Sequence, residues 1–141
     1  MIDRIFFDTN IIVYMFDKSE KEKHEVAKDL LSKQAKKSSF YISAQVINEF
    51  VNITTRKIKN PVSFEKQKDI LSFLNSIFII SPLTMHTSQT AINIKLKYKY
   101  SYWDSLILTS ALENQCSIIY SEDMQDNQLI DGNLQIVNPF L

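Results

Sequence analysis

At 141 residues, 45% hydrophobic and 23% charged, the chain has the size and balance of one domain, residues 1–141, built on a buried core. One cysteine, Cys116, excludes an internal disulfide, and the two distant histidines, His24 and His86, leave no Cys/His cluster for zinc. The net charge of zero hides an asymmetry: all 16 Lys and Arg fall before Tyr100 beside ten acids, formally +6, whereas Tyr100 to Leu141 carries six acids and no cation, formally −6.

In chain order, Ile5-Phe6-Phe7 reads as a short buried strand ending at Asp8, and Ile11 to Phe16 as a short helix or turn. Ser19 with Glu22 predicts a capping box that opens a helix to about Lys36, with Val26, Ala27, Leu30, Leu31 and Ala35 inward. Phe40-Tyr41-Ile42 predicts a second strand. Ser43 then caps a helix to about Ile58, in which Val46, Ile47, Phe50, Val51 and Thr54 keep helical spacing. Pro61 and Ser63 open a helix to about Leu74, and Ile77 to Ile80 predicts a third strand closed by Pro82. A helix follows from about Thr87 to Lys97, and Ser101 caps another over Tyr102 to Glu113. Ser117 to Tyr120 predicts a fourth strand, and Leu134 to Val137 a last one after the turn signal Asp131-Gly132-Asn133.

Strands alternating with helices of this length call for an α/β fold with parallel strands, right-handed crossovers and helices on both faces. Ligands of such sheets sit beyond the carboxyl ends of the strands, where strand order reverses. Asp8 and Asp123 fall at that edge. The chemistry available there is narrow. Gly132 is the only glycine, which excludes a dinucleotide fingerprint and a P-loop, and no Ser/His/Asp or Cys/His arrangement supports nucleophilic catalysis. No apolar run approaches the roughly 18 residues that span a bilayer, and no signal-peptide core follows Asp3 and Arg4, so a cytoplasmic protein is expected.

Carboxylates remain, and each has an ordinary reading. Asp8 at the end of a buried strand loses solvation unless paired, yet Asp is also a common N-cap for a helix starting near Ile11. Glu49 flanks the apolar face of its helix, with uncharged Gln45 and Ile53 as its i±4 neighbours, and reads alone as a rim residue. Asp104 lies three residues after Ser101, a capping position, but beside Trp103 and Leu106-Ile107-Leu108. Asp123 belongs to an acidic loop, Ser121 to Asp126, that leaves the ligand edge, which raises Ser121 and Asp123 and leaves Glu122 and Asp126 open. Glu113 and Asp131 read as a solvated face.

Taken together the acids imply more. If Asp8, Glu49, Asp104 and Asp123 converge, their repulsion is roughly 4 kcal/mol per pair at about 4 Å with an effective dielectric of 20. Such a hollow is settled by protonation or by a divalent cation, and oxygen donors without imidazole or thiolate favour Mg²⁺ or Mn²⁺. That equipment suits phosphodiester hydrolysis. The cations form three groups: Lys33, Lys36 and Lys37; Arg56, Lys57 and Lys59; and Lys95, Lys97 and Lys99. The third interleaves with Tyr98, Tyr100, Tyr102 and Trp103, which would stack bases or simply pack as core and rim. Arg56 and Lys57, two turns beyond Glu49, are the pair assigned to a bound phosphate backbone.

The order Asp8-Thr9-Asn10, Gln45-Val46-Ile47-Asn48-Glu49-Phe50, Ser101-Tyr102-Trp103-Asp104 and Ser121-Glu122-Asp123-Met124 resembles the PIN-domain nucleases, and most of all the VapC toxins of bacterial toxin–antitoxin pairs. The resemblance runs over essentially the whole chain, to Ile136-Val137-Asn138-Pro139-Phe140. It implies a three-layer α/β/α sandwich with a central parallel sheet. It also implies an Mg²⁺- or Mn²⁺-dependent ribonuclease that forms a homodimer and is inhibited by a cognate antitoxin inserting a segment at the active site. By the same resemblance Asp8, Glu49, Asp104 and Asp123 are the metal-binding acids, with Thr9, Asn10 and Ser121 in support. One departure is Asn127, where relatives often carry glycine after the Gln125-Asp126 pair; whether Asp126 adds a fifth carboxylate stays open.

Two other α/β classes place an acid after the first strand, the receiver-type signalling domains and the aspartyl-phosphate phosphatases. Both need a late lysine for the phosphoryl group, and this chain has none after Lys99. A catalytically silent PIN fold that binds RNA or a protein partner is the remaining alternative, and the sequence does not separate RNA from DNA as substrate.

Overall fold

Five residues, Asp3–Phe7, form the strand β1 on which the rest of the sheet is assembled. The computed structural model describes residues 3–141. From β1 the chain runs through α1 (Thr9–Phe16), α2 (Lys21–Gln34), β2 (Ser38–Ser43), α3 (Ala44–Arg56), α4 (Phe64–Ile77) and β3 (Ile79–Ser81). It continues through α5 (Met85–Tyr98), α6 (Tyr102–Glu113), β4 (Ile118–Tyr120), β5 (Leu129–Ile130) and β6 (Leu134–Val137). Spatially the strands lie in the order β3-β2-β1-β4-β6-β5.

All neighbouring pairs are parallel except β5 with β6. Strand order therefore steps outward from β1 to β3 on one side, then reverses and resumes on the other side at β4. Right-handed crossovers in the two directions put α1 to α4 and α5 to α6 on opposite faces, which gives the three-layer sandwich. The reversal lies between β1 and β4, whose register pairs Phe7 with Tyr120. The next residues, Asp8 and Ser121, thus leave the sheet side by side.

β1 holds the centre because Ile5, Phe6 and Phe7 are all fully buried, as a strand covered on both faces requires. Phe7 meets Phe40, Phe78 and Tyr120 edge-on, with ring centroids 5.5, 5.3 and 5.4 Å away. Helix starts follow their caps: the hydroxyls of Ser43, Ser63 and Ser101 accept from the amides of Val46, Lys66 and Asp104.

Several sequence expectations shift. The Ser19–Glu22 box does not form, because Ser19 is held by Asp17 through both its amide and its hydroxyl, and α2 starts after Glu20 without a side-chain cap. Ala35 is exposed and His24, unassigned before, is buried instead, with Nδ1 against the Tyr14 carbonyl at 2.8 Å. Ile77 ends α4 rather than opening β3, and α5 begins at Met85 behind a Thr84–Thr87 capping box. The antiparallel β5 escaped prediction, since two residues are too short to show alternation, although the turn that follows it did not. Asp131 and Gly132 there take φ of 49° and 73°, the left-handed conformation a turn of this kind needs. Removing the aromatic hub by Phe7→Ala should cost about 3–5 kcal/mol, read as a lower urea midpoint with the slope unchanged. A loss below about 1 kcal/mol would mean β1 is not the centre of the core.

Candidate functional site

β1 delivers Asp8 to the crossover point, with its amide still bonded to the Tyr120 carbonyl at 2.9 Å. Its side chain is 7% exposed. Oδ1 accepts from the Thr9 amide at 2.7 Å and Oδ2 from the Ser121 hydroxyl at 2.8 Å. An N-cap usually reaches the second or third helical amide, so Asp8 is turned toward β4 more than a plain cap would be. Burial pushes its carboxyl up from 3.8 to about 7 against the two hydrogen bonds, with Asp104 and Glu49 adding repulsion.

The other three acids reach the same edge on separate elements. Glu49 sits on α3, where Thr9 Oγ1 donates to its Oε1 and Gln45 Nε2 to its Oε2 at 3.1 Å. Asp123, in the loop after β4, accepts from Asn10 Nδ2 at 2.8 Å. Asp104 lies in the first turn of α6, and its carboxyl is raised by burial first and then by the charges of Asp123 and Glu49. Thus Asp8 responds to Glu49 and Asp104, and Asp104 to Glu49 and Asp123: one field joins the four. Thr9, Asn10 and Ser121 each hold one acid, respectively Glu49, Asp123 and Asp8.

Convergence stops short of a ready-made cage. Among the described residues, no three acids, histidines or cysteines stand close enough to hold a metal as a group. Separate hydroxyl and amide donors hold three of the carboxylates. In kind, the donor set still fits a hard divalent cation: carboxylate and amide oxygens only, two acids raised by burial and mutual repulsion, and no cation paired to any of the four among the described residues.

The remaining acids of the last third find partners elsewhere. Glu122 pairs with Lys23 and accepts from the Tyr14 hydroxyl at 2.7 Å, and Asp126 Oδ1 accepts from the Asn138 amide at 2.7 Å. The fifth carboxylate is therefore a loop brace in this structure. Asp131 accepts from Lys97 and Tyr98, and Glu113 from Thr87; both are exposed, on a solvated face as the sequence suggested. Asn127 takes φ of 68°, which explains how a glycine position is filled here: asparagine tolerates the left-handed region better than most side chains.

Arg56 and Lys57 are exposed at the far end of α3, and Arg56 touches only Asn52 among the bonds of the described residues. Tyr98 and Tyr100 are spent bracing the segment from Gln125 to Asp131. Trp103, 62% exposed beside Asp104, meets Tyr102 edge-on with ring centroids 5.5 Å apart. Sequence reasoning passed over Gln45 as an uncharged neighbour of Glu49; the i,i+4 Gln–Glu spacing was the signal that would have found it.

The PIN domain family model matches residues 5–127. The fold is similar to that in VapBC2 from Rickettsia felis bound to a promoter DNA fragment, at 17% identity and TM-score 0.65 over 96% of this chain and 99% of that one. A toxin–antitoxin complex from Klebsiella pneumoniae aligns at 21% identity and TM-score 0.69, covering 96% and 97%. VapC20 of Mycobacterium tuberculosis, a sarcin–ricin loop cleaving toxin, aligns at 17% and 0.67, covering 84% and 89%. At these identities the likeness is one of fold. Comparison with curated protein sequences finds no match.

The raised Asp8 carboxyl carries a stability signature. Its proton is held more tightly folded than unfolded, so the associated stability is full below 3.8 and lost as pH rises toward 7. In EDTA, the protein should lose on the order of 2–3 kcal/mol between about pH 5 and pH 8, and Asp8→Asn should flatten that slope. Thermal denaturation at both pH values is the measurement; parallel slopes for the two proteins would contradict the assignment.

Proposed function

Because the chain belongs to the PIN-domain family, we propose that it is a metal-dependent endoribonuclease that hydrolyses RNA phosphodiester bonds and acts as the toxin of a type II toxin–antitoxin pair. The observation that carries the reading is the shared field of Asp8, Glu49, Asp104 and Asp123, four acids from four separate elements gathered at the strand reversal. In this reading one nuclease domain spans residues 1–141 and the four carboxylates hold Mg²⁺ or Mn²⁺. When bound, such an ion lowers the pKa of a water and stabilises charge on the phosphoryl group.

The chain's own residues do the positioning. Ser121 and the Thr9 amide hold Asp8, Thr9 and Gln45 orient Glu49, and Asn10 holds Asp123. Arg56 and Lys57 lie about 10 Å along the helix axis beyond Glu49, a distance suited to a neighbouring phosphate of a bound strand. Trp103 offers an exposed face for a base next to Asp104.

Support for an antitoxin partner comes from the Klebsiella neighbour, which is a toxin–antitoxin complex. VapC20, which cleaves the sarcin–ricin loop, supports RNA as substrate. A homodimer in the cytoplasm completes the proposal; no helix among the described residues is long and apolar enough to cross a membrane. The competing reading is a silent PIN fold that binds RNA without cutting it, and it draws on the absence of a three-residue cage among the described residues.

Labelled RNA incubated with and without Mg²⁺ separates the two. Wild type should cleave only with the ion, and Asp104→Asn should fall to background while still binding RNA. Equal cleavage by both proteins would discard the mechanism, and binding without cleavage in either would establish the silent module.

A further inference from the structure

We propose that Gln45 is a positioning residue that fixes Glu49 and the Asp104 turn relative to each other, an inference that rests on the nuclease reading above. Gln45 is the second residue of α3 and is 6% exposed. Its single Nε2 donates twice: to Glu49 Oε2 at 3.1 Å, one turn along its own helix, and to the Trp103 carbonyl at 3.0 Å, in the first turn of α6. Trp103 directly precedes Asp104. One amide nitrogen thus ties together the two helix turns that bring Glu49 and Asp104 to the sheet edge.

The other end of the side chain shows what this arrangement costs. Gln45 Oε1 is buried without a partner. Flipping the amide would set Oε1 against two acceptors, the Glu49 carboxylate and the Trp103 carbonyl, so the hydrogen-bond network fixes the orientation. A buried acceptor left unsatisfied is unfavourable, and the double donation from Nε2 offsets it. Thr9 grips the opposite oxygen of Glu49 from the Asp8 side. Without Gln45 the carboxylate would keep only that one tether.

Charge neutrality is part of the role. A lysine or arginine here would form an ion pair with Glu49 and spend the negative field that a cation needs, and a glutamate would add a further repulsive carboxylate. Glutamine supplies two donor hydrogens and no charge. Outer partners that orient ligating carboxylates act in this way, and their loss weakens metal binding without removing a ligand.

The test uses Mn²⁺ as probe, with calorimetric affinity and metal-free thermal denaturation read on wild type, Gln45→Leu, Gln45→Met and Asp104→Asn. Gln45→Leu and Gln45→Met remove the donor and the orphaned acceptor together while keeping bulk; relief of the orphan offsets part of the two lost hydrogen bonds, so the metal-free midpoint should hold or fall only slightly. Mn²⁺ affinity should fall about 10-fold or more in both. Wild-type affinity in the Gln45 variants, or a lower midpoint with affinity intact, would overturn the proposal, as would failure of both to fold. No Mn²⁺ binding by wild type, or equal binding by Asp104→Asn, would instead overturn the nuclease reading on which it rests.

Discussion

A carboxylate with almost no access to water, fixed where the strand order reverses, is the constraint on which the rest depends. Asp8 is carried into that position by three fully buried residues, so its placement is a consequence of core packing and not of surface chance. Taking such a group out of water is unfavourable unless something compensates. Two hydrogen bonds compensate in part, from the Thr9 amide and the Ser121 hydroxyl, and they reach it from the helix start after β1 and the loop after β4. The remainder appears as a carboxyl that holds its proton to near neutrality. Folding energy is thereby stored in a group that a cation would stabilise.

The uneven charge of the chain resolves around this point. Both ion pairs among the described residues join a lysine from the first 99 residues to an acid of the last third, Lys23 to Glu122 and Lys97 to Asp131. Glu122, gripped by Lys23 and Tyr14, and Asp126, gripped by the Asn138 amide, pin the two sides of Asp123. In the loop after β4, Glu122 is thus paired with a cation, Asp126 is held by a backbone amide, and Asp123 between them has no cation among the described residues. Asp104 and Asp123 stay outside every ion pair among the described residues, as do Asp8 and Glu49.

What was legible in the sequence divides by range. Caps such as Ser43, Ser63 and Ser101 were readable because hydroxyl and amide stand three residues apart. Asp8 and Asp123 were legible as strand-end acids, whereas Glu49, in the second turn of α3, and Asp104, at a capping position, joined them as a set only through the family resemblance. Partners were harder: Asn10 meets Asp123 across 113 positions, Lys23 meets Glu122 across 99, and Gln45 meets Trp103 across 58. No local pattern announces such contacts. The Ser19 box failed for the opposite reason, since a nearer acceptor, Asp17, took the Ser19 amide that the Glu22 side chain would have held. β5 failed because two residues show no alternation, although the turn that joins it to β6 was legible.

The most direct measurement is diffraction from crystals soaked in Mn²⁺, with anomalous scattering used to locate the ion. A single site or a close pair of sites bounded by the carboxylates of Asp8 and Asp104, with Glu49 and Asp123 turned toward it, is the result this account requires. Manganese bound elsewhere, or four acids keeping their separate partners around an ion-free hollow in saturating Mn²⁺, would contradict it.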